Sequence, residues 1–446
     1  MERDLTILGG GPGGFSAALR AREHGFKTVL VEKAEVGGVC LHKGCIPTKS
    51  LITDALFFKK NKSGREETEF FEKMLRKKSE VVSRLHQGME SSLQKKGVSV
   101  LRGRGEILRE HRLRVRDREI DSRFILIATG SRPKPISGFP FDGNQVLSSD
   151  DLLRLSEIPK SLVIIGAGPT GCEFASLYHA LGSHITLLEA TPRLLPGSDE
   201  SVSEELKKIF IREGIDVRVG VKVSSLEEIR AEKILISIGR LPNSDALGLD
   251  KWGVLRADGC IEVNALMQTV VPSIYAIGDV TGQSLLAHVA SYQGEIAVDH
   301  MAGKVHEAKT FAVPECVFTI PEVAQAGFTE KEAQSKRKDI RVGRFSFLAS
   351  AKAHILGEKL GFVKLIGDGE TGELLGAHLL GPHVTELIAE LTLVLQMHGT
   401  VRQIAETLHP HPTLSESVRG AALDFLSKGK GNDRRNTFSN VASETD

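Results

Sequence analysis

Two cysteines five positions apart, Cys40 and Cys45, lie in the segment Gly37-Gly38-Val39-Cys40-Leu41-His42-Lys43-Gly44-Cys45-Ile46-Pro47-Thr48-Lys49. On an ideal helix this spacing puts the Cα atoms roughly 8–9 Å apart, with side chains about 140° from one another. A disulfide needs Cα atoms within about 7 Å, so bridging the pair requires a distorted turn. Gly44 supplies the backbone freedom for it, and Pro47 suits an early helical position. A small strained ring of this kind is reducible, which fits redox catalysis better than stapling. A metal site would need a second pair of ligands at suitable spacing, and His42 alone does not make one. The other cysteines, Cys172, Cys260 and Cys316, lie far apart and read as small buried apolar residues. Five in 446 residues are too few for a disulfide framework.

A second candidate lies near the C-terminus, in Leu408-His409-Pro410-His411-Pro412-Thr413-Leu414-Ser415-Glu416. A thiol with an ordinary pKa near 8.5 is mostly protonated at neutral pH, so an imidazole that takes its proton creates the nucleophile. A carboxylate on the other ring nitrogen fixes the tautomer and stabilises the imidazolium. The same residues also have a plain structural reading. Thr413-x-x-Glu416 is a capping-box pattern, and His409 reads as structural.

The elements that must position these groups are two glycine-turn units. Asp4 to Lys33 reads as strand, glycine turn, helix, strand, with Ala17, Ala18 and Ala21 allowing the helix (Gly13 to His24) close to a sheet. Gly9, Gly11 and Gly14 form G-x-G-x-x-G: the first permits the turn, the second admits a pyrophosphate, the third brings helix against strand. Glu32, at the end of the next strand, would accept hydrogen bonds from ribose hydroxyls. Lys160 to Ala190 repeats the design with Gly166, Gly168, Gly171 and a terminal Glu189. A carboxylate there suits the free 2′-hydroxyl of NAD(H) and repels the 2′-phosphate of NADP(H), with Arg193 set apart by Pro192. Two units imply two dinucleotide cofactors.

The rest of the chain bounds the class. Its length suggests about three domains, and a net charge of +1 offers no field for nucleic acid or a membrane surface. Apolar runs are strand-sized, short of the ~18 residues of a spanning helix. The N-terminus enters a strand at once, which leaves no room for a signal peptide and points to the cytoplasm. Lys59 to Lys96 is charged with helical apolar spacing and reads as an exposed helix. From Phe311 onward β-rich segments (Gly361 to Ile366, Leu374 to Leu380) and a helix (Thr385 to Met397) suggest an α+β domain. The polar tail from Lys428 to Asp446 has little to bury.

GGVCLHKGCIPTK resembles the redox-disulfide segment of the FAD-dependent pyridine nucleotide–disulfide oxidoreductases, and the order of motifs to about residue 427 is similar to that family's. Ile125-Leu-Ile-Ala-Thr129-Gly130-Ser131 resembles its ATG segment. Ile236-Ser-Ile-Gly239-Arg240-Leu-Pro242-Asn243 resembles the close of its NAD domain. Ser273-Ile-Tyr-Ala-Ile-Gly278-Asp279 resembles the return to the flavin, and Thr319-Ile-Pro-Glu-Val-Ala the start of the interface domain. The implied fold is α/β: two Rossmann-like dinucleotide-binding domains plus a C-terminal α+β dimerisation domain. The implied boundaries are 1–143 and 269–310 for FAD, 144–268 for NAD, 311–427 for the interface, and 428–446 for a disordered tail. The implied FAD site comprises Gly9, Gly11, Gly14, Glu32, Lys49, Gly105, Thr129, Gly130, Asp279 and Ala287. The implied NAD site comprises Gly166, Gly168, Gly171, Glu173, Glu189, Val223 and Gly239, with Lys49 paired to Glu173.

The His411 segment resembles the C-terminal motif of the dihydrolipoamide dehydrogenases. That resemblance makes His411 the acid/base and Glu416 its orienting partner, with His411 reaching the other subunit of a homodimer. It implies that dihydrolipoamide attacks Cys40, leaving a Cys45 thiolate, and that electrons pass through FAD to NAD+. With no lipoyl domain ahead of Met1, the lipoyl group is expected on another chain, an acyltransferase or a glycine-cleavage carrier protein. The chain departs from the family in three places: Pro169 and Thr170 replace bulkier residues near the nicotinamide, Val221 to Ile236 is short, and 99–124 is compact. The alternatives are a related reductase of a glutathione-type disulfide or mercuric ion, and a non-catalytic subunit. The first meets Glu189 where NADPH enzymes carry basic residues and a tail without cysteine. The second has no need of both cysteines, Lys49, His411 and Glu416.

Overall fold

Leu5, Thr6, Ile7 and Leu8 are all buried, so both faces of β1 (Glu2–Leu8) are covered at its C-terminal end; it is the first strand of a computed structural model that describes residues 2–60, 67–225, 229–304 and 312–429. Pro12 occupies the first turn of α1 (Pro12–Glu23), where its missing N–H costs nothing, and buried Ala17, Ala18 and Ala21 let the helix approach the sheet. After β2 (Thr28–Glu32) come α2 (Gly38–Lys43), α3 (Cys45–Lys60) and α4 (Glu67–Lys95). The stretch expected as an exposed helix is amphipathic instead. Phe71, Met74 and Leu93 are buried while Leu85 stays outside, because the apolar positions recur on one face of α4. Residues 61–66 of that stretch lie outside the described residues.

β3 (Ser99–Arg102), β4 (Gly105–Arg109), β5 (Arg112–Val115) and β6 (Arg118–Ile127) complete the first sheet in the order β3-β2-β1-β6-β5-β4. The neighbours of β1 are parallel, whereas β4, β5 and β6 form an antiparallel meander. The next segment runs through β7 (Ser131–Pro133), β8 (Val146–Leu147), α5 (Ser149–Leu152), β9 (Ser161–Ile165), α6 (Pro169–Ala180), β10 (His184–Glu189), α7 (Glu200–Glu213), β11 (Asp216–Val219), β12 (Lys233–Ile236) and β13 (Arg240–Pro242). Its parallel sheet has the order β11-β10-β9-β12-β8, and β13 pairs with β7. Between β11 and β12, where the sequence is short, no strand forms among the described residues, and 226–228 lie outside them. β14 (Ile274–Ala276) then returns to the first sheet beside β6, and α8 (Ala287–Met301) follows.

These elements belong to one compact unit, Met1–Gly197 with Ser203–Phe311 and Val317–Ile320. The second unit comprises Ser198–Val202, Ala312–Cys316 and Pro321–Asp446. Its sheet runs β15-β16-β19-β18-β17, with α9 to α13 around it: β15 (Glu315–Val317), β16 (Glu322–Gly327), α9 (Glu330–Lys336), β17 (Ile340–Ser346), α10 (Ala351–Leu356), β18 (Phe362–Asp368), β19 (Leu374–Gly381), α11 (Val384–Gln396), α12 (Val401–Glu406) and α13 (Glu416–Ser427). Every residue of β19 is buried, as a near-continuous apolar strand between two covered faces should be. Within this unit Lys364 is 2% exposed and sits 2.7 Å from Asp199 and 2.7 Å from Glu330. Burial alone would raise the Asp199 carboxyl, but the Lys364 ammonium, the Ser201 hydroxyl and the Glu330 amide hold it well below the usual carboxylate range. Phe311 and the polar tail from residue 430 lie outside the described residues.

Candidate active site

Gly37 caps α2 at φ +108°, where an added Cβ would come within 2.4 Å of the Leu41 side chain. The helix stops at Gly44 (φ −145°, ψ −114°), and α3 restarts at Cys45. The cysteines therefore flank a helix break, which is the distortion that their spacing demands. Both are free thiols, and Cys40 donates a hydrogen bond to Cys45. That bond, helped by the Lys49 ammonium against the opposing effects of burial and Glu173, lowers the Cys45 pKa to about 7. Donation to Cys45 and burial drive the Cys40 thiol well above its ordinary value. The pair is electrically asymmetric, with the thiolate on Cys45. Of the other cysteines, Cys172 and Cys260 are buried as expected, but Cys316 is only partly so.

Lys49 lies one helical turn beyond Cys45 and so shares its face of α3. Its Nζ donates to both carboxylate oxygens of Glu173, on α6, at 2.8 Å and 2.8 Å. Glu173 is buried and also accepts the Phe318 amide at 2.9 Å, while the Phe318 ring stands 4.8 Å from the Lys49 ammonium. The structure thus joins Lys49 and Glu173, and adds Phe318. The sequence signal for Phe318 was only its place directly before Thr319-Ile-Pro.

The first glycine loop is built for a close approach. An added Cβ would meet Ala128 O at 2.3 Å from Gly9 and Gly9 O at 1.9 Å from Gly14, yet nothing within 4 Å from Gly11. The N-terminus of α1 has no side-chain cap, so no side chain satisfies its first-turn amides. Glu32 is buried and takes the Gly10 amide on one oxygen (2.7 Å) and the Ala34 amide on the other (2.8 Å). It therefore anchors the loop as well as facing a cleft of about 210 Å³, whose walls include Gly9, Glu32, Gly105, Thr129 and Asn243. Thr129 Oγ1 donates to Asn243 O (2.8 Å), and Asn243 Nδ2 returns a bond to Thr129 O (2.9 Å). Beyond Gly130, at φ +68°, Ser131 donates to Asp279, and Arg240 donates to Ser131 Oγ (2.6 Å) and Ser131 O (2.9 Å). Ala287 opens α8, whose N-terminus also lacks a side-chain cap. Uncapped amides, a loop position open to a ligand and a cleft walled by an acid all fit a dinucleotide such as FAD.

The second loop repeats these features. An added Cβ would meet Ser237 O at 2.5 Å from Gly166 and Gly166 O at 1.9 Å from Gly171, with open space at Gly168. Glu189 takes the Ala167 amide (2.7 Å) and the Thr191 amide (2.8 Å). Pro169 and Thr170 are exposed at the start of α6, so no bulky side chain covers it there. Gly239, at φ +113°, also faces open space. Val223 packs its side chain against the apolar cluster around Val163 and Ile236, a core role.

In the second unit, His411 Nδ1 lies 3.0 Å from Glu416 Oε1, and the other carboxylate oxygen takes the Thr413 amide at 2.9 Å. The acid/base and capping readings are thus satisfied by one carboxylate. The Thr413 amide and then His411 hold Glu416 below the ordinary carboxylate range. The His411 side chain is 73% exposed. The His409 side chain is 4% exposed, with its ring nitrogens on Thr407 O (2.9 Å) and Glu390 (3.1 Å), a structural role. Glu390 was not legible in advance.

Residues 3–294 match the pyridine nucleotide-disulphide oxidoreductase family, and residues 313–422 match its dimerisation domain. The chain belongs to the pyridine nucleotide-disulphide oxidoreductases. Among curated relatives, a dihydrolipoyl dehydrogenase of Bacillus subtilis is 39% identical over 465 residues, covering 95% of this chain and 98% of that protein. One from Thermus scotoductus is 41% identical over 446 residues, covering 94% and 96%. Among solved structures, the HOCl-induced flavoprotein disulfide reductase RclA of Escherichia coli superposes with a TM-score of 0.85 at 28% identity, covering 94% of this chain and 99% of that one. LpdA of Mycobacterium tuberculosis gives a TM-score of 0.86 at 27% identity, covering 94% and 99%. Membership of this oxidoreductase family carries FAD and NAD(H) as cofactors. Among the described residues, no helix is long and apolar enough to cross a membrane.

Proposed function

We propose that this oxidoreductase oxidises dihydrolipoyl groups and delivers the electrons to NAD+, as a homodimer in the cytoplasm. The observation that carries this reading is the His411–Glu416 pair, an exposed imidazole already oriented by a carboxylate at 3.0 Å. The names of relatives about 40% identical over nearly the whole chain support the same substrate. The lipoyl group would be carried by another chain, an acyltransferase or a glycine-cleavage carrier protein. The proposed division is 1–143 and 269–310 for FAD, 144–268 for NAD and 311–427 for the interface.

In this scheme His411 of one chain takes a proton from a dihydrolipoyl thiol, and the thiolate attacks Cys40 Sγ in the disulfide form of the other chain. The Cys40–Cys45 bond breaks, a mixed disulfide forms on Cys40, and Cys45 leaves as a thiolate. The second substrate thiol, once deprotonated, displaces Cys40 and closes the lipoyl disulfide; Cys40 recovers the proton through His411. Cys45 suits the leaving role because its neighbours already lower its pKa to about 7. Bound FAD supplies the two-electron relay from the Cys45 thiolate to NAD+. Gly9, Gly11, Gly14, Glu32, Gly105, Thr129, Gly130, Asp279 and Ala287 would hold it, with Lys49 supplying positive charge beside it. Gly166, Gly168, Gly171, Glu173 and Gly239 would hold NAD(H), and Val223 would support that site only from the core. Glu189 keeps acceptor capacity for a free 2′-hydroxyl while repelling a 2′-phosphate.

The test is NAD+ reduction by dihydrolipoamide on the FAD-loaded protein. Turnover that falls by about three orders of magnitude in Cys45→Ser and in His411→Gln is expected. A yellow protein that is inert to dihydrolipoamide would refute the substrate and leave the flavin fold standing.

A further inference from the structure

Lys49 and Glu173 act on Cys45 in opposite senses. The ammonium lowers the thiol pKa and the carboxylate raises it, so the field at Cys45 depends on which end of the pair lies nearer. With Cys40 as hydrogen-bond donor, these are the charged and titratable groups that act on Cys45 among the described residues. The two charges are joined at 2.8 Å, yet a joined pair still swings as a unit. Lys49 has a flexible four-carbon stem and a side chain 29% exposed, so its bond to Glu173 alone does not fix where the ammonium stands.

Phe318 touches both ends of the pair. Its amide donates to Glu173 Oε1 at 2.9 Å. Its ring stands 4.8 Å from Lys49 Nζ, inside the ~6 Å over which a ring face attracts a cation. The same face repels a carboxylate, so this one residue tells the two ends apart. Phe318 is itself held in place. Two positions on, the Ile320 amide donates to Ser176 Oγ at 3.1 Å, one turn beyond Glu173 on α6. Thr319, between them, is buried, and Val317–Ile320 belongs to the same compact unit as α3 and α6. Packing would be met by any apolar side chain of this size, whereas attraction to the ammonium requires a ring.

We propose that Phe318 is a positioning residue of the redox centre, whose ring holds the Lys49 ammonium in its place near Cys45 while its amide holds Glu173. The inference rests on the redox role of the cysteine pair and not on the lipoyl substrate. A protein inert to dihydrolipoamide would leave it standing.

Absorbance titration of the reduced, FAD-loaded full chain tests this. Phe318→Leu keeps the amide and removes the ring, and the Cys45 midpoint should rise from about 7 by about half a pH unit. Phe318→Met should give the same rise, so the result does not hang on one variant. Phe318→Tyr retains the ring face and should leave the midpoint in place. In a Lys49→Met background Phe318→Leu should add nothing, because the ring acts through the ammonium. Flavin absorbance should stay at the wild-type level throughout. A midpoint unmoved in both ringless variants, or moved as far in Phe318→Tyr, overturns the proposal. So does a rise that persists without Lys49, and so does loss of flavin from both ringless variants, which would make Phe318 a packing residue.

Discussion

The two glycine loops share one local grammar and differ in what is packed against the helix that each one opens. In both, the third glycine would place a Cβ 1.9 Å from the carbonyl of the first, and the acid at the end of the second strand clamps a loop amide at 2.7 Å. The first helix, α1, is pressed against α8: a Cβ on Gly13 would lie 2.8 Å from Ala290 O, and one on Gly294 2.7 Å from Gly13 O. The second helix has Thr170 where the first has Gly13, and that residue is exposed. Its ion pair, Glu173 with Lys49, instead ties α6 to the helix of the redox cysteines. A loop sequence therefore sets how a dinucleotide is received, while the neighbours of the following helix decide whether the site is walled in or wired to chemistry.

The largest effect expected from this contrast is at the third glycines. Gly14→Ala and Gly171→Ala face the same backbone clash, costing about 3 kcal/mol or more locally. Gly14→Ala should yield protein without flavin, whereas Gly171→Ala should stay yellow and lose NADH oxidation; flavin absorbance and steady-state rates separate the two. Loss of flavin from both would mean that the loops are not independent. Next come the open positions. Gly11→Ala and Gly168→Ala meet nothing within 4 Å, so each should fold normally. Each should weaken its own nucleotide by about tenfold or more, readable by fluorescence titration.

The clamping acids should matter less. Glu32→Gln and Glu189→Gln each weaken one charge-assisted bond to a neutral one and set an amide NH2 against the second backbone N–H, which loses its acceptor. Only Glu189→Gln should raise the ratio of NADPH to NADH turnover, and an unchanged ratio would remove Glu189 as the selector. The smallest effect is expected at Lys49→Met. Removing a cation that favours the thiolate moves the Cys45 pKa up from about 7, so the thiolate fraction at neutral pH falls. Absorbance titration of the reduced protein should show the midpoint moving to higher pH, with a few-fold loss of rate near pH 7. A midpoint that stays put would assign the low value to Cys40 alone.

Both nucleotide folds and the helix break at Gly44 were legible because each follows from local rules: strand-sized apolar runs, a glycine turn, and a cysteine spacing that no regular helix can bridge. Lys49 with Glu173, and His411 with Glu416, came from resemblance to a known motif order rather than from spacing. Phe318 and Glu390 stayed hidden because each acts through one backbone amide or one imidazole, and neither leaves a periodic signal. The double duty of Glu32 and Glu189 was hidden for a similar reason. Their positions predicted a ribose, but which backbone amides a carboxylate reaches is decided by a turn several residues away. The burial of one face of α4 was underestimated because its charged residues outnumber the apolar stripe that does the packing.

The buried Lys364 places a limit on how this chain can be cut and recombined. Its fully enclosed counter-ion, Asp199, comes from a five-residue loan, Ser198–Val202, out of the nucleotide-binding half of the sequence. A fragment starting at residue 312, or a hybrid joined there to a foreign partner without an acid at that place, would keep only Glu330, whose side chain is 39% exposed. Stranding such a cation costs about 3–5 kcal/mol, so the C-terminal domain is not a freely exchangeable module.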